Sequence, residues 1–96
     1  MKPSKALKQY KEQIKEIVLS HRAKNVKVFG SVLNQTDTEF SDLDLLIEPT
    51  SETSLMDIGA IRYELKKLLG IKVDVLTPNA LPDSFRDTVL KEARLV

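Results

Sequence analysis

The chain has no cysteine, no tryptophan and a single histidine among its 96 residues. Without cysteine it can form neither disulfides nor thiolate metal sites, and one histidine cannot build a multi-histidine zinc cage. A bound metal must therefore sit on oxygen, which points to magnesium or manganese. Neither sign of charge is in excess: 15 basic against 14 acidic residues leave a net +1. That balance supplies no strong field for gripping a polyanion, so nucleic acid is not expected as a direct partner. No segment approaches the roughly 20 apolar residues of a membrane helix. Met1-Lys2-Pro3-Ser4-Lys5 is followed by no apolar run that could act as a signal peptide. The chain reads as cytoplasmic, with no membrane partner.

What is present is an ordinary globular composition, 42% hydrophobic and 30% charged, over a length that suits one domain spanning residues 1–96. A domain this small often gains stability from a partner, and a hetero-oligomer is one way to obtain it.

Ser4 reads as an N-cap. Leu7, Tyr10, Ile14, Ile17 and Val18 then recur at helical spacing, which predicts an amphipathic helix from Lys5 to about Arg22. Val26–Phe29 is short, β-branched and aromatic, and reads as a strand. Residues 31–41 are polar and read as a loop with room for one helical turn. Residues 42–48 form a second expected strand, closed by Pro49. Ser54 then caps a helix with Leu55, Ile58, Ile61, Leu65, Leu68 and Leu69 inward, stopped by Gly70. Residues 72–76 make a third strand. After a loop over 78–82, a last helix is expected with Phe85, Val89 and Ala93 inward. This order describes an α/β (α+β) domain: a small mixed sheet of about three strands with helices packed on one side.

The informative feature is aspartate inside strands, from which it is normally depleted. With a period of two, Leu43, Leu45 and Ile47 face the core, and Asp42 and Asp44 share the other face; Asp74 stands out from Val73 and Val75 in the same way. Residues i and i+2 lie roughly 6.6 Å apart and neighbouring strands about 4.8 Å apart. If the second and third strands pair, the three carboxylates converge. Their mutual repulsion is relieved by a divalent cation. Two such ions about 3.5–4 Å apart would clamp the attacking and leaving oxygens of a phosphoryl transfer, and one carboxylate could take the proton of the attacking hydroxyl. A solvent-facing strand that carries aspartates harmlessly is the plain alternative, weakened by the third aspartate.

The first strand ends in Phe29-Gly30-Ser31, where a glycine and a hydroxyl let the backbone approach a phosphate closely. Ser31 is followed by Val32 to Ser41 and then Asp42-Leu43-Asp44. This Gly-Ser-x10-Asp-x-Asp spacing, flanked by Val28-Phe29 and Leu45-Leu46-Ile47, resembles the signature of the polymerase-β-like nucleotidyltransferase superfamily. Asp74 falls where that family places its third carboxylate. The length is similar to that of the minimal nucleotidyltransferases, the stand-alone class usually encoded beside a helical HEPN protein. The resemblance implies a metal-dependent transferase fold with ATP as substrate. Gly30 and Ser31 would hold the NTP phosphates. Asp42 and Asp44 would bind Mg2+ (or Mn2+), and Asp74 would complete the site as ligand or base. It also implies an antitoxin role, the transfer of AMP to a tyrosine of the HEPN toxin.

One stretch departs from the family. Where members often carry a small residue, arginine and glycine, this chain has Leu33, Asn34 and Gln35, so no guanidinium grips the triphosphate there. Lys27, Arg62 and Lys72 are candidates to replace it. A second reading is a weak or inactive binding module that neutralises a HEPN ribonuclease by complex formation; retention of all three aspartates favours the enzyme. Haloacid-dehalogenase phosphatases and glycosyltransferases also carry Asp-x-Asp. The former want Thr or Val where Leu46 stands, and both need a longer chain. His21, at the end of the first helix, reads as a cap or surface residue.

Overall fold

Local chemistry sets the element boundaries of the computed structural model, which describes residues 1–96. Helix α1 (Pro3–Gln9) opens on a proline in its first turn, where the missing N–H costs nothing. Ser4 therefore lies inside the helix instead of capping it, and its backbone N–H donates to Asp37 Oδ2 at 2.9 Å. The expected single helix is two: Tyr10, at φ −110° and ψ 22°, separates α1 from α2 (Lys11–Ser20). The bonds Tyr10 N–H to Ala6 O and Ile14 N–H to Tyr10 O carry the chain across this bend. Ala6, Ile14 and Val18 are all fully buried as a result. His21 ends α2, and its ring pairs with Glu64, so it ties two helices together.

Strand β1 (Ala23–Phe29) starts earlier than its sequence suggests. Asn25 takes a left-handed φ of +53° at an irregularity in the pairing between Lys24 and Lys27, and such a bulge hides the strand's first half from a period-two reading. One helical turn, α3 (Gly30–Leu33), and a loop lead into β2 (Leu43–Pro49). Helix α4 (Leu55–Leu69) crosses to β3 (Val73–Leu76). A 3-10 turn at Pro78–Ala80, α5 (Arg86–Glu92) and β4 (Arg94–Leu95) complete the chain.

The sheet runs β3-β2-β1-β4. β1 is antiparallel to β2 and to β4, whereas β2 and β3 are parallel, as a helical crossover requires. The fourth strand exceeds the three expected. It is a two-residue edge, Lys27 opposite Leu95 and Val28 opposite Arg94, extended by a 2.9 Å bond from Val96 N–H to Val26 O.

The main core lies on one face, where Val26, Val28, Leu43, Leu45, Val73 and Val75 meet Ala6, Ile14 and Val18 from α1 and α2 and Ile61, Leu65 and Leu69 from α4. Leu55 is not part of it: six residues before Ile61 it points away from the buried stripe and is 86% exposed. The opposite face carries a smaller cluster of Phe29, Leu46 and Leu81, flanked by Leu33, Val89 and Ala93. Leu81, in the expected loop, is the buried anchor here, while Phe85 stays outside at 44% exposure. Arg86 fixes this corner by donating to Pro78 O at 3.0 Å and Leu81 O at 2.6 Å.

Helix α4 is pinned at both ends. Ser54 Oγ accepts from Asp57 N–H while Asp57 Oδ2 accepts from Ser54 N–H, a reciprocal capping box. Gly70 ends the helix at φ +68°. Asp57 also receives two bonds from the Arg22 guanidinium. Arg22 and the Ser54 amide hold the Asp57 carboxyl down to about 2, from an ordinary 3.8. A depressed carboxyl contributes stability that is complete above the unfolded value and is lost as pH falls through the folded one. Asp57→Asn is accordingly expected to lower the urea midpoint at neutral pH. It should also flatten the decline that the unsubstituted protein shows between about pH 4 and pH 2. A pH series of urea titrations followed by circular dichroism reads both.

Candidate active site

The parallel register of β2 and β3 sets Asp44 directly beside Asp74. Register also assigns the faces. Phe29 pairs with Asp44 and Lys27 with Leu46, so the two aspartates share the face of the small Phe29–Leu46–Leu81 cluster, beyond its end. Both strands begin here, and Leu43 N–H donates to Lys72 O at 3.0 Å to lock their starts together. Asp42 precedes the first paired residue of β2 and stands at the rim, its Oδ2 3.6 Å from Lys72 Nζ. The loop that delivers it is held by its own side chains: Thr38 N–H donates to Ser41 Oγ at 2.9 Å and Phe40 N–H to Thr38 Oγ1 at 3.2 Å.

Of the three aspartates named from the sequence, Asp44 and Asp74 are neighbours on one face and Asp42 stands ahead of β2, drawn to Lys72; the three do not close into a single chelating cluster. Partial burial, and then the charges of Asp74 and Asp42, push the Asp44 carboxyl up to about 6, with Lys72 opposing. This donor set fits a hard divalent cation: it offers only carboxylate oxygen, and it holds a crowded carboxylate whose ionised form a cation would stabilise.

Gly30 meets the same carboxylate from β1. It has φ +72°, and a Cβ built on it would stand 2.2 Å from Asp44 Oδ2. Glycine is required there twice over, by the backbone conformation and by the close approach. Ser31 follows in α3, half-buried, and the approach to the carboxylate is made by Gly30. Of the three cations considered as stand-ins for a loop arginine, only Lys72 reaches the carboxylates. Arg62 donates to Val75 O at 3.4 Å, and Lys27 lies in a separate groove with Pro78 and Leu90. Gln35 adopts φ +60°, a left-handed conformation that glycine takes more readily than glutamine.

Two outcomes are expected from this geometry. Gly30→Ala displaces the Asp44 carboxylate and destabilises the protein by about 1–3 kcal/mol, readable in a urea titration. For Asp44, the folded state retains a proton that the unfolded chain releases, so the metal-free protein loses stability as pH rises from about 4 to 6 and does not regain it above. Allowing for solvent screening of a half-exposed group, Asp44→Asn should raise the metal-free Tm at neutral pH by about 4–8 °C. Magnesium chloride should raise the Tm of the unsubstituted protein and leave that of Asp44→Asn unmoved; calorimetric scans with and without the salt decide it.

Comparison with known proteins identifies the family. A family model described as a nucleotidyltransferase domain matches residues 7–96. A candidate protein adenylyltransferase of Methanocaldococcus jannaschii is 38% identical over 87 residues, covering 91% of this chain and 94% of that relative. A solved candidate minimal nucleotidyltransferase superposes with a TM-score of 0.85 at 33% identity, over 97% of this chain and 95% of its own. A toxin–antitoxin crystal structure with AMP-PNP shares the fold, with a TM-score of 0.72 at 15% identity over 86% of this chain and 68% of that one. The family match spans nearly the whole chain, and the chain belongs to the nucleotidyltransferase domain family, as a minimal nucleotidyltransferase.

Proposed function

We propose that this nucleotidyltransferase moves AMP from ATP to a hydroxyl of a partner protein, as the antitoxin of a HEPN-type toxin pair. The observation that carries the reading is the convergence of Gly30-Ser31 with Asp44 and Asp74 on one sheet face. A glycine turn close against a carboxylate pair suits displacement at phosphorus. The acceptor oxygen attacks the α-phosphorus, the bond to the β-phosphate breaks, pyrophosphate leaves, and the hydroxyl proton passes to a carboxylate. Asp74, on the outer strand, suits that last role. Mg2+ held by Asp42, Asp44 and Asp74 would supply positive charge to the reacting phosphate. The chain's own contribution is to orient: β2 and β3 fix the carboxylates in register, and Gly30 lets a phosphate approach the backbone.

Two relatives support the acceptor class, one named for protein adenylylation and one solved as a toxin–antitoxin complex with an ATP analogue. The near-neutral charge of the chain also argues against a polynucleotide acceptor. Incubation with α-labelled ATP, magnesium and a helical HEPN partner should label the partner. Asp42→Asn and Asp44→Asn should each reduce transfer at least about 100-fold, consistent with loss of a group acting at the reacting phosphate. If none of the four NTPs gives transfer while the partner still binds, the alternative of a non-catalytic neutralising module is the correct one.

A further inference from the structure

A nucleoside triphosphate brings several negative charges to a face that already carries Asp42, Asp44 and Asp74, so cations must meet its distal phosphates. Most cations of the chain are committed or distant. Arg22 is bound by Asp57, Arg86 by Asp83 and by carbonyls, Lys72 by Asp42, and Arg62 reaches Val75 O. The lysines of α1, α2 and α4 belong to the helical layer on the other face of the sheet.

Two cations remain beside the phosphate turn. A groove of about 600 Å³ runs between the end of α3 and the C-terminal segment, with Leu33, Asn34 and Gln35 on one wall and Lys91 and Arg94 on the other. It shares Leu33, Asn34 and Glu92 with a cleft of about 260 Å³ that opens at Gly30. The two form one path from Gly30 along α3. At about 1.5 Å per helical residue, Leu33 lies roughly 4.5 Å beyond Gly30 along α3, and Asn34 and Gln35 continue past the end of the helix. No carboxylate engages either Lys91 or Arg94.

We infer that Lys91 and Arg94 grip the β- and γ-phosphates of the bound nucleotide, reaching from the C-terminal segment to the stretch where this chain carries Leu33-Asn34-Gln35 in place of an arginine. The inference rests on the nucleotide-transfer reading above. The small apolar cluster of Phe29, Leu46 and Leu81, with Val89 and Ala93 packed on it, holds α5 so that Lys91 lines the groove beside α3, and Arg94, paired with Val28 on the edge strand β4, lines the same groove. Glu92 sits in the same path and opposes the grip.

The test is calorimetric titration of AMP-PNP and of AMP, each with magnesium, into the unsubstituted protein, Lys91→Gln/Arg94→Gln, Lys91→Arg/Arg94→Lys and Glu92→Gln. The first double variant should weaken AMP-PNP about 10- to 100-fold and leave AMP within about twofold, because only the triphosphate reaches the cations. The charge-conserving double variant should retain most of the AMP-PNP affinity, and Glu92→Gln should tighten it about threefold. Unchanged thermal unfolding of the variants shows that β4 still pairs. An unchanged affinity, or equal weakening of AMP-PNP and AMP, overturns the assignment while leaving the transferase reading in place. Absence of any triphosphate binding by the unsubstituted protein removes both.

Discussion

Asp44 and Asp74 lie side by side on neighbouring parallel strands, and much of the rest of the molecule serves to keep them there. Two carboxylates in that position repel, and burial of one of them raises the cost; the upward displacement of Asp44 is the direct expression of it. A free loop would relax and separate the charges. Here they cannot separate, because Leu43, Leu45, Val73 and Val75 alternate with them and are sealed beneath α4. Helix α4 is in turn seated by the Ser54–Asp57 box and the Arg22 contact at one end and by Gly70 at the other. Stability supplied by the helical layer holds a repulsive carboxylate pair on the other face of the sheet.

The Gly30-Ser31 turn is held by the same logic from a different direction. Gly30 fits because its missing Cβ leaves room for the Asp44 carboxylate, so the turn packs directly against it. Farther along, Asp37 accepts from the Ser4 amide, which links the loop between α3 and Asp42 to the first helix. Burial pushes the Asp37 carboxyl up, but the bonds from Ser4 outweigh it and leave the group below its ordinary value. A loop that carries polar residues over most of its length is therefore anchored at Gly30, at Asp37 and at the Thr38–Ser41 turn.

Much of this was legible in the sequence wherever one residue determines its own environment. Ser54 and Gly70 marked the ends of α4 correctly because capping and left-handed termination are local. The aspartates stood out because an acidic residue in an apolar strand has few reasons to be there. Misreadings arose where distant contacts decide. Ser4 resembles a cap, but Pro3 starts the helix and Asp37, 33 residues on, takes the Ser4 amide. Tyr10 shows no local helix breaker, yet the chain bends at it so that Ala6 and Ile14 can both reach the sheet. β4 is too short for any periodicity to show and exists only because β1 offers an open edge. Strand direction, on which the Asp44–Asp74 neighbourhood depends, is likewise a property of the crossover and of no single residue.

The second face of the sheet shows how so small a domain can hold both a core and a site. A two-layer domain ordinarily leaves one sheet face to solvent. This chain divides that face: the end near Asp44 is left open and charged, and the end near Leu46 is covered by Leu81, Val89 and Ala93. The cover contributes little to the core, since α5 contains no fully buried residue. What it does is bring the C-terminal segment back across the sheet, so that β4 pairs with β1 and Lys91 and Arg94 come to lie along α3. The segment from Leu81 onward thus covers one end of that face and closes the β1 edge of the sheet. That role accounts for a helix kept almost wholly exposed, yet fixed in place by the Arg86 bonds to Pro78 and Leu81.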